Sequence, residues 1–363
     1  MEFAVNLHII AAVLLCFTAV AAQSLKTFTG TYGSFDPNDS DIFQAENTAR
    51  IRFNELQLTQ VSINMDLQDW GRYQSGRVML KQSFKLWDKG SDRVASFNSS
   101  FLFTIYALNN TPWGEGLAFV LAPDFSLPSN SFGQYLGLTN NNTDNSTENN
   151  FVAIEFDTVK QDSDLDANHV GLNINSIIST VNVPLTPSGI ELAAPGYISF
   201  YNVWVQYDGV KKFIEVYIAQ QADFPGETPS RPDKPILQSY LDLKDVLQQD
   251  SYFGFSASTG NNAQMNTILR WNLTAEYYPE DKPSPWYWYL LGIGGGLLVI
   301  GVAVAGFYNI RKNRTMAQSK SNALVGVLNR LPGTPRGFQF KDLIKATNNF
   351  DEKNKLGQGW ILM

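Results

Sequence analysis

VAIEFDTVKQDSDLDANHVGLNINSI (152–177) places five carboxylates and one histidine within fifteen residues, between two apolar runs. Val152, Ile154 and Phe156 alternate with Ala153, Glu155 and Asp157, the period-two pattern of a half-buried strand. Glu155 and Asp157 then share a face, about 6–7 Å apart along the chain. In the second run Val170, Leu172 and Ile174 alternate with His169, Gly171 and Asn173. KQDSDLDAN (160–168) joins the runs as a short acidic loop carrying Asp162, Asp164 and Asp166. Antiparallel pairing of the two strands returns His169 towards Glu155 and Asp157. Like charges at such range raise each other's pKa unless a cation neutralises them. Three readings are open here: a metal site, a catalytic carboxylate pair, or a solvated acidic turn.

Working outward, residues 24–276 read almost throughout as short strands bounded by turn residues. The clearest are 75–87, 95–108, 116–122, 197–209, 211–220 and 252–259; only YLDLKDVLQ (240–248) offers weak helical periodicity. Many short strands over this length imply an all-β sandwich of jelly-roll type. The 363-residue chain has room for such a domain and for further segments. Residues 1–22 have the apolar stretch and small-residue end of a signal peptide, although their start carries Glu2 and no Lys or Arg. The single cysteine, Cys16, and His8 both fall inside it, so the exported domain would hold no disulfide and His169 as its one histidine.

PEDKPSP (279–285) lies in a short polar stalk, 277–289, that ends in the aromatic WYWY. The next 21 residues, 290–310, carry no charge and are long enough to cross a bilayer as a transmembrane helix, with the basic RKNR (311–314) behind them. This pattern predicts a single-pass plasma-membrane protein with its N-terminal part outside and residues 311–363 as a cytoplasmic juxtamembrane segment. Residues 23–289 hold 17 basic and 30 acidic side chains, whereas 311–363 hold 10 and 3. The acidic balance outside argues against nucleic acid as a partner, and the basic tail suits an anionic inner leaflet. Asn38, Asn98, Asn109, Asn141, Asn145 and Asn272 each begin an N-glycosylation tripeptide on the outer side. Asn313 begins one behind the membrane and is expected to stay bare.

GLAFVLAP (116–123), YLGL (135–138), VAIEFDT (152–158), NHVGLNINSI (168–177) and YFGFSASTG (252–260) stand in one order along the chain. In that order and spacing the ectodomain resembles the legume lectins. PRGFQFKDLIKATNNFDEKNKLGQG (335–359) resembles the approach to the glycine-rich loop of plant receptor-like kinases. Together these parts are similar to plant L-type lectin-domain receptor kinases.

The resemblance implies a manganese ion and a calcium ion held through shared aspartates. Glu155, Asp157 and His169 match that motif, and Asp164 takes the place of the second bridging aspartate. Val159 would offer a backbone carbonyl, and Gln161 or Asp162 stands in for the family's calcium-binding asparagine. Oxygen donors suit calcium, and carboxylates with one imidazole suit manganese. For carbohydrate, the resemblance assigns Glu115 to the place of a loop aspartate, Gly133 to a loop glycine, Gln161 to the asparagine and Val159 to the stacking aromatic. Glu115 is one methylene longer than the family's residue and Val159 has no ring, so affinity for simple hexoses should be weak. The loop GNNAQMNT (260–267) would border this pocket.

Retaining glucanases on the same fold use E-x-D-x-x-E, but Lys160 occupies the third carboxylate position, so the retaining mechanism lacks its second group. LGQG (356–359) opens a nucleotide-covering loop, and the sequence runs on only to Met363. The expectation is therefore a non-enzymatic, lectin-like receptor ectodomain that senses an extracellular glycan, small molecule or peptide. The alternative is a cell-wall adhesion or decoy module forming homo- or hetero-oligomers with full-length receptor kinases.

Overall fold

A computed structural model describes residues 24–60, 71–106, 114–193, 197–280, 286–328, 330, 333, 337–355 and 357. The signal peptide, Asn109, most of the LGQG loop and the 281–285 part of the stalk lie outside the described residues. Residues up to Glu280 form one compact unit and those from Asp281 another.

Sixteen strands are described in the first unit. In chain order these are β1 Lys26–Tyr32, β2 Phe43–Asn47, β3 Arg50–Arg52, β4 Glu55–Thr59, β5 Ser75–Leu80, β6 Phe84–Lys85, β7 Phe97–Tyr106 and β8 Gly116–Ala122. They continue as β9 Val152–Asp157, β10 His169–Ile174, β11 Val181–Pro184, β12 Ser199–Asp208, β13 Phe213–Gln221, β14 Leu237–Tyr240, β15 Asp250–Ser258 and β16 Met265–Tyr277. One sheet runs β14-β13-β12-β7-β16-β4-β3, with β1 also on β16; the other runs β11-β10-β9-β8-β15-β5-β2, with β6 also on β15. Neighbours pair antiparallel throughout. The two sheets face each other as the all-β sandwich expected from the strand pattern.

Inward-facing side chains of both sheets fill the space between them, as burial of apolar surface requires. Aromatic rings carry much of this core: Phe255 meets Phe101 and Trp271 edge to face, each at 4.9 Å. Trp271 is fully buried, and its indole N–H donates to Ser99 Oγ at 2.9 Å. Such geometry adds about 0.5–1.5 kcal/mol per ring pair beyond burial alone.

One expectation needs correction. The alternation in β9 predicts a half-buried strand, yet all six of its residues are buried. Val152, Ile154 and Phe156 enter the core between the sheets. On the other face Ala153 joins Met79, Ala118, Val120, Ala122, Leu136, Leu138 and Phe151 in a second apolar layer. The segment between β8 and β9 folds back over this sheet and takes its outer face out of water. Glu155 and Asp157 therefore lie under a roof rather than at the surface.

The other sheet keeps a wet outer face. Asn98 on β7 pairs with Thr274 on β16, and Asn272 with Ser100. The Asn272 amide donates to Ser100 Oγ at 3.3 Å. Asn38, Asn98, Asn141, Asn145 and Asn272 are all exposed.

The weak helical signal at 240–248 becomes the single turn Leu243–Val246, whose N-cap Asp242 accepts from the Lys244 amide. In the second unit one helix runs Trp286–Leu328. It begins four residues before the predicted 290–310 span and extends well past it, because 311–328 contains neither proline nor a cluster of helix breakers. The side chains of residues 286–298 lie outside the described set, and among the described residues no helix is long and apolar enough to cross a membrane. Phe340–Ala346 forms a short helix further on.

Candidate metal centre and ligand pocket

Register builds the site. β9 and β10 pair with His169 opposite Asp157 and Gly171 opposite Glu155, as the alternation requires. β8 lies on the other side of β9, with Gly116 opposite Asp157 and Ala118 opposite Glu155. Glycine at 171 leaves room for two side chains: an added Cβ would lie 2.3 Å from Glu155 Oε1 and 2.0 Å from Ser179 Oγ, so these groups would have to move. The Glu155 carboxylate occupies that space and accepts a hydrogen bond from the Ser179 hydroxyl.

Asp157, Asp164 and His169 each bring one ligand atom within 4.8 Å of the others. Glu155 Oε1 stands 3.4 Å from His169 Nε2. On the far side of the ring, Nδ1 lies 3.2 Å from the Asp166 carbonyl. A proton on Nδ1 satisfies that carbonyl and leaves Nε2 as the ligand atom. Nε2 is buried and has no hydrogen-bond partner among the described residues. Asp157 Oδ1 accepts from the Val159 amide at 2.6 Å, and Asp164 Oδ2 accepts from the Gln161 amide at 2.7 Å. The acidic loop is thus tied down at two points. Asp162 is exposed and outside this group.

The electrostatics describe a site short of positive charge. Burial and the neighbouring Glu155 charge push the Asp157 carboxyl well above its usual range, against the pull of His169 and the Val159 amide. Burial pushes the His169 ring down, but contact with Glu155 and the charges of Asp157, Glu155 and Asp164 prevail and lift it to about 9. The donor set of carboxylate oxygens and one buried imidazole nitrogen fits divalent calcium or manganese.

Of the residues expected to meet a sugar, Glu115 and Gln161 come together beside this centre. Glu115 is buried, and its Oε2 accepts from Gln161 Nε2 at 2.7 Å. Burial raises its pKa, partly offset by the Gln161 bond and reinforced by Asp164. Its Oε1 packs on Gly260, where an added Cβ would lie only 2.1 Å away. Gly133 has φ +66° and open space where a side chain would be. Its amide donates to the Thr259 carbonyl at 3.1 Å. Val159 is half-buried. Glu115 and Gln161 thus satisfy each other, and a ligand must share or replace that bond.

Three contributors carry no role in the sequence reading. Ser179 holds Glu155, Asp166 orients His169, and Gln264 joins two of the loops. Gln264 Oε1 accepts from the Gly114 amide at 2.9 Å and the Thr158 hydroxyl at 3.3 Å, one residue from Glu115 and one from Asp157. Asp166 leaves a sequence signal three residues before the histidine, and Gln264 lies within the 260–267 loop expected to border the pocket; Ser179 leaves none.

Its relatives place this two-sheet antiparallel sandwich, with its carboxylate–histidine centre beside a loop pocket, in a lectin-like, carbohydrate-binding class. The legume lectin domain model matches residues 27–286, and the chain belongs to that family. Its relatives include the probable L-type lectin-domain containing receptor kinase S.5 of Arabidopsis thaliana, 34% identical over 288 residues, covering 79% of this chain and 42% of the relative. The chain thus spans less than half the length of that receptor kinase. Bark leucoagglutinin of Maackia amurensis is 33% identical, with 68% of this chain and 81% of the relative covered. Among solved structures, basic winged bean lectin with Tn-antigen superposes with a TM-score of 0.56 at 29% identity, covering 69% of this chain and 98% of that one.

Proposed function

We propose that the domain is a metal-supported glycan-binding ectodomain of a membrane-anchored receptor. The observation that carries this reading is the Asp157–Asp164–His169 group, with Asp157 and His169 buried and Asp164 half-buried, lying against the Glu115–Gln161 pair. Asp164 bonds the Gln161 amide while the Gln161 side chain bonds Glu115, so one residue links the ion's ligands to the pocket. Glu155, Asp157, Asp164 and His169 would hold calcium and manganese, with the Val159 carbonyl and either Gln161 or Asp162 as further oxygen donors. A bound cation would neutralise the carboxylates and stiffen the 158–164 loop. Glu115, Gly133, Val159 and Gln161 would then face the sugar as hydrogen-bonding and packing groups.

The 21 uncharged residues at 290–310, their aromatic and basic flanks and the helix that contains them support a membrane anchor. Exposure of Asn38, Asn98, Asn141, Asn145 and Asn272 supports glycosylation of the exported side. The receptor-kinase relatives support a role in perception at the plasma membrane. The test is a glycan array probed with and without chelator. Binding that needs calcium or manganese and fails in Asp157→Asn supports the reading; retention after rigorous chelation overturns the role of the ions.

A further inference from the structure

Gln264 lies immediately before β16 and is fully buried, although its side chain is polar. A buried amide costs stability unless both of its ends are hydrogen-bonded. Here both are: Nε2 donates to Asn266 Oδ1 at 2.9 Å, and Oε1 accepts from the Gly114 amide at 2.9 Å. Asn266 Nδ2 donates in turn to Thr59 Oγ1 at 2.9 Å, and the Thr59 hydroxyl donates to the Gln264 carbonyl at 2.7 Å. Thr59 and Asn266 are as fully buried as Gln264.

The order of donors and acceptors in this relay runs one way. The single hydroxyl proton of Thr59 is committed to the Gln264 carbonyl, and its two lone pairs receive Asn266 Nδ2 and the Asn266 backbone amide, the latter at 3.1 Å. Asn266 must therefore turn Oδ1 towards Gln264, and Gln264 must turn its own oxygen towards Gly114. Thr59 lies on β4 and Asn266 on β16, both in one sheet, whereas Gly114 leads into β8 of the other. The facing sheet thus decides which atom is offered to the segment that carries Glu115.

That segment lies outside the ladder. β8 begins its pairing at Gly116, opposite Asp157 on one side and Ser258 on the other, so Gly114 and Glu115 lie beyond it. The Thr158 hydroxyl donates to the Gly114 carbonyl at 2.5 Å, and the Thr158 amide reaches the Glu115 carbonyl only at 3.5 Å. Gly114 comes so close to the relay that an added Cβ would lie 2.8 Å from Gln264 Cβ. Asp157 is held differently. β9 pairs with both β8 and β10, which keeps Asp157 in register without help from Gln264.

Building on the glycan-binding reading above, we propose that Gln264 is a positioning residue for the pocket. It sets where the Glu115 backbone, and with it the carboxylate, meets a ligand, while the ions are held without it. Ligand affinity and ion affinity then separate at this one residue.

The experiment uses the whole chain in detergent micelles, loaded with calcium and manganese. Gln264→Met keeps the length of the side chain but offers Gly114 only a weak acceptor. Three readouts are compared with the unmodified protein: hydrogen exchange at the Gly114 amide, manganese affinity by calorimetry, and affinity for an array of mannose-, glucose-, galactose- and xylose-terminated oligosaccharides. Exchange should quicken and array affinity should fall about tenfold, the factor that about 1.4 kcal/mol represents, with manganese affinity unchanged. Thr158→Val removes the other tie to Gly114 and should act in the same direction, so the test does not depend on Gln264→Met folding. Unchanged exchange or unchanged array affinity overturns the positioning role, and manganese affinity that falls in step with array affinity overturns the separation; in each case glycan binding by the unmodified protein stands. Absence of binding to every oligosaccharide by the unmodified, metal-loaded protein overturns the glycan-binding reading and the pocket role together.

Discussion

Replacing Asp157 with asparagine should change stability in opposite directions with and without divalent cations. The carboxylate is buried, and Asp164 and His169 present ligand atoms within 4.8 Å of it. At an effective dielectric near 20, two like charges at that distance repel by about 3–4 kcal/mol. The His169 imidazolium returns part of this, so removing the Asp157 charge from the cation-free protein should stabilise it by about 1–3 kcal/mol. The side-chain carbonyl of the introduced asparagine can still accept from the Val159 amide, so the local backbone keeps its tie. For a domain of this size that gain is worth roughly 2–10 °C in Tm. With calcium and manganese each at about a hundred times its dissociation constant, the unmodified protein instead gains about 2.7 kcal/mol per ion, which the variant cannot collect in full. Two thermal scans of each protein, after chelation and after reloading, decide the point. The order of the melting temperatures should invert. If Asp157→Asn melts lower in both conditions, the carboxylate is a structural hydrogen-bond acceptor and the case for a cation built on its repulsion fails.

Gly171→Ala places a methyl on the Glu155 carboxylate and should destabilise the metal-loaded protein by about 1–3 kcal/mol, with weaker cation binding by calorimetry; an unchanged affinity would mean that Glu155 does not shape the centre. Glu115→Asp with Val159→Phe should strengthen hexose binding more than either change alone, since the shorter carboxylate releases Gln161 while the ring covers the sugar; equal affinities for all four proteins would count against the assigned pocket. Glu276 accepts from the Ser96 amide at 3.0 Å and from Arg93 at 2.8 Å, and these bonds outweigh burial to hold its pKa below the ordinary value. Its contribution is therefore present above the ordinary glutamate range and lost as pH falls through the lowered pKa, so Glu276→Gln should flatten the acid limb of a stability–pH profile measured by urea unfolding.

The pairing of β9 with β10, and with it the meeting of His169 and Asp157, is legible in the sequence because period-two alternation fixes both face and register. Burial of the outer face is not, since it depends on where the 123–151 segment lies, and that segment has no periodicity pointing inward. The bond between Glu115 and Gln161 joins residues 46 positions apart through side-chain tips, which no local pattern records. The apolar part of the long helix is announced by its composition, whereas its extension is not, because the polar stretch after Ile310 has adequate helix propensity but no amphipathic stripe.

If Asn98 and Asn272 carry glycans as proposed above, the crossed pairing of Asn98 with Thr274 and of Asn272 with Ser100 would make their attachment a clock of folding. Ser100 completes the Asn98 tripeptide and Thr274 completes that of Asn272, so each strand presents the hydroxyl that faces the other's acceptor. Once β16 docks on β7, the Asn272 amide is engaged by Ser100 across 172 residues of chain, and neither tripeptide is any longer an extended free substrate. On an exported chain the first acceptor would stay exposed until the last strand had been made, whereas the second would have only the interval before that strand closed the sheet. Full occupancy at Asn98 beside partial occupancy at Asn272 would thus record, molecule by molecule, how quickly the sandwich shut.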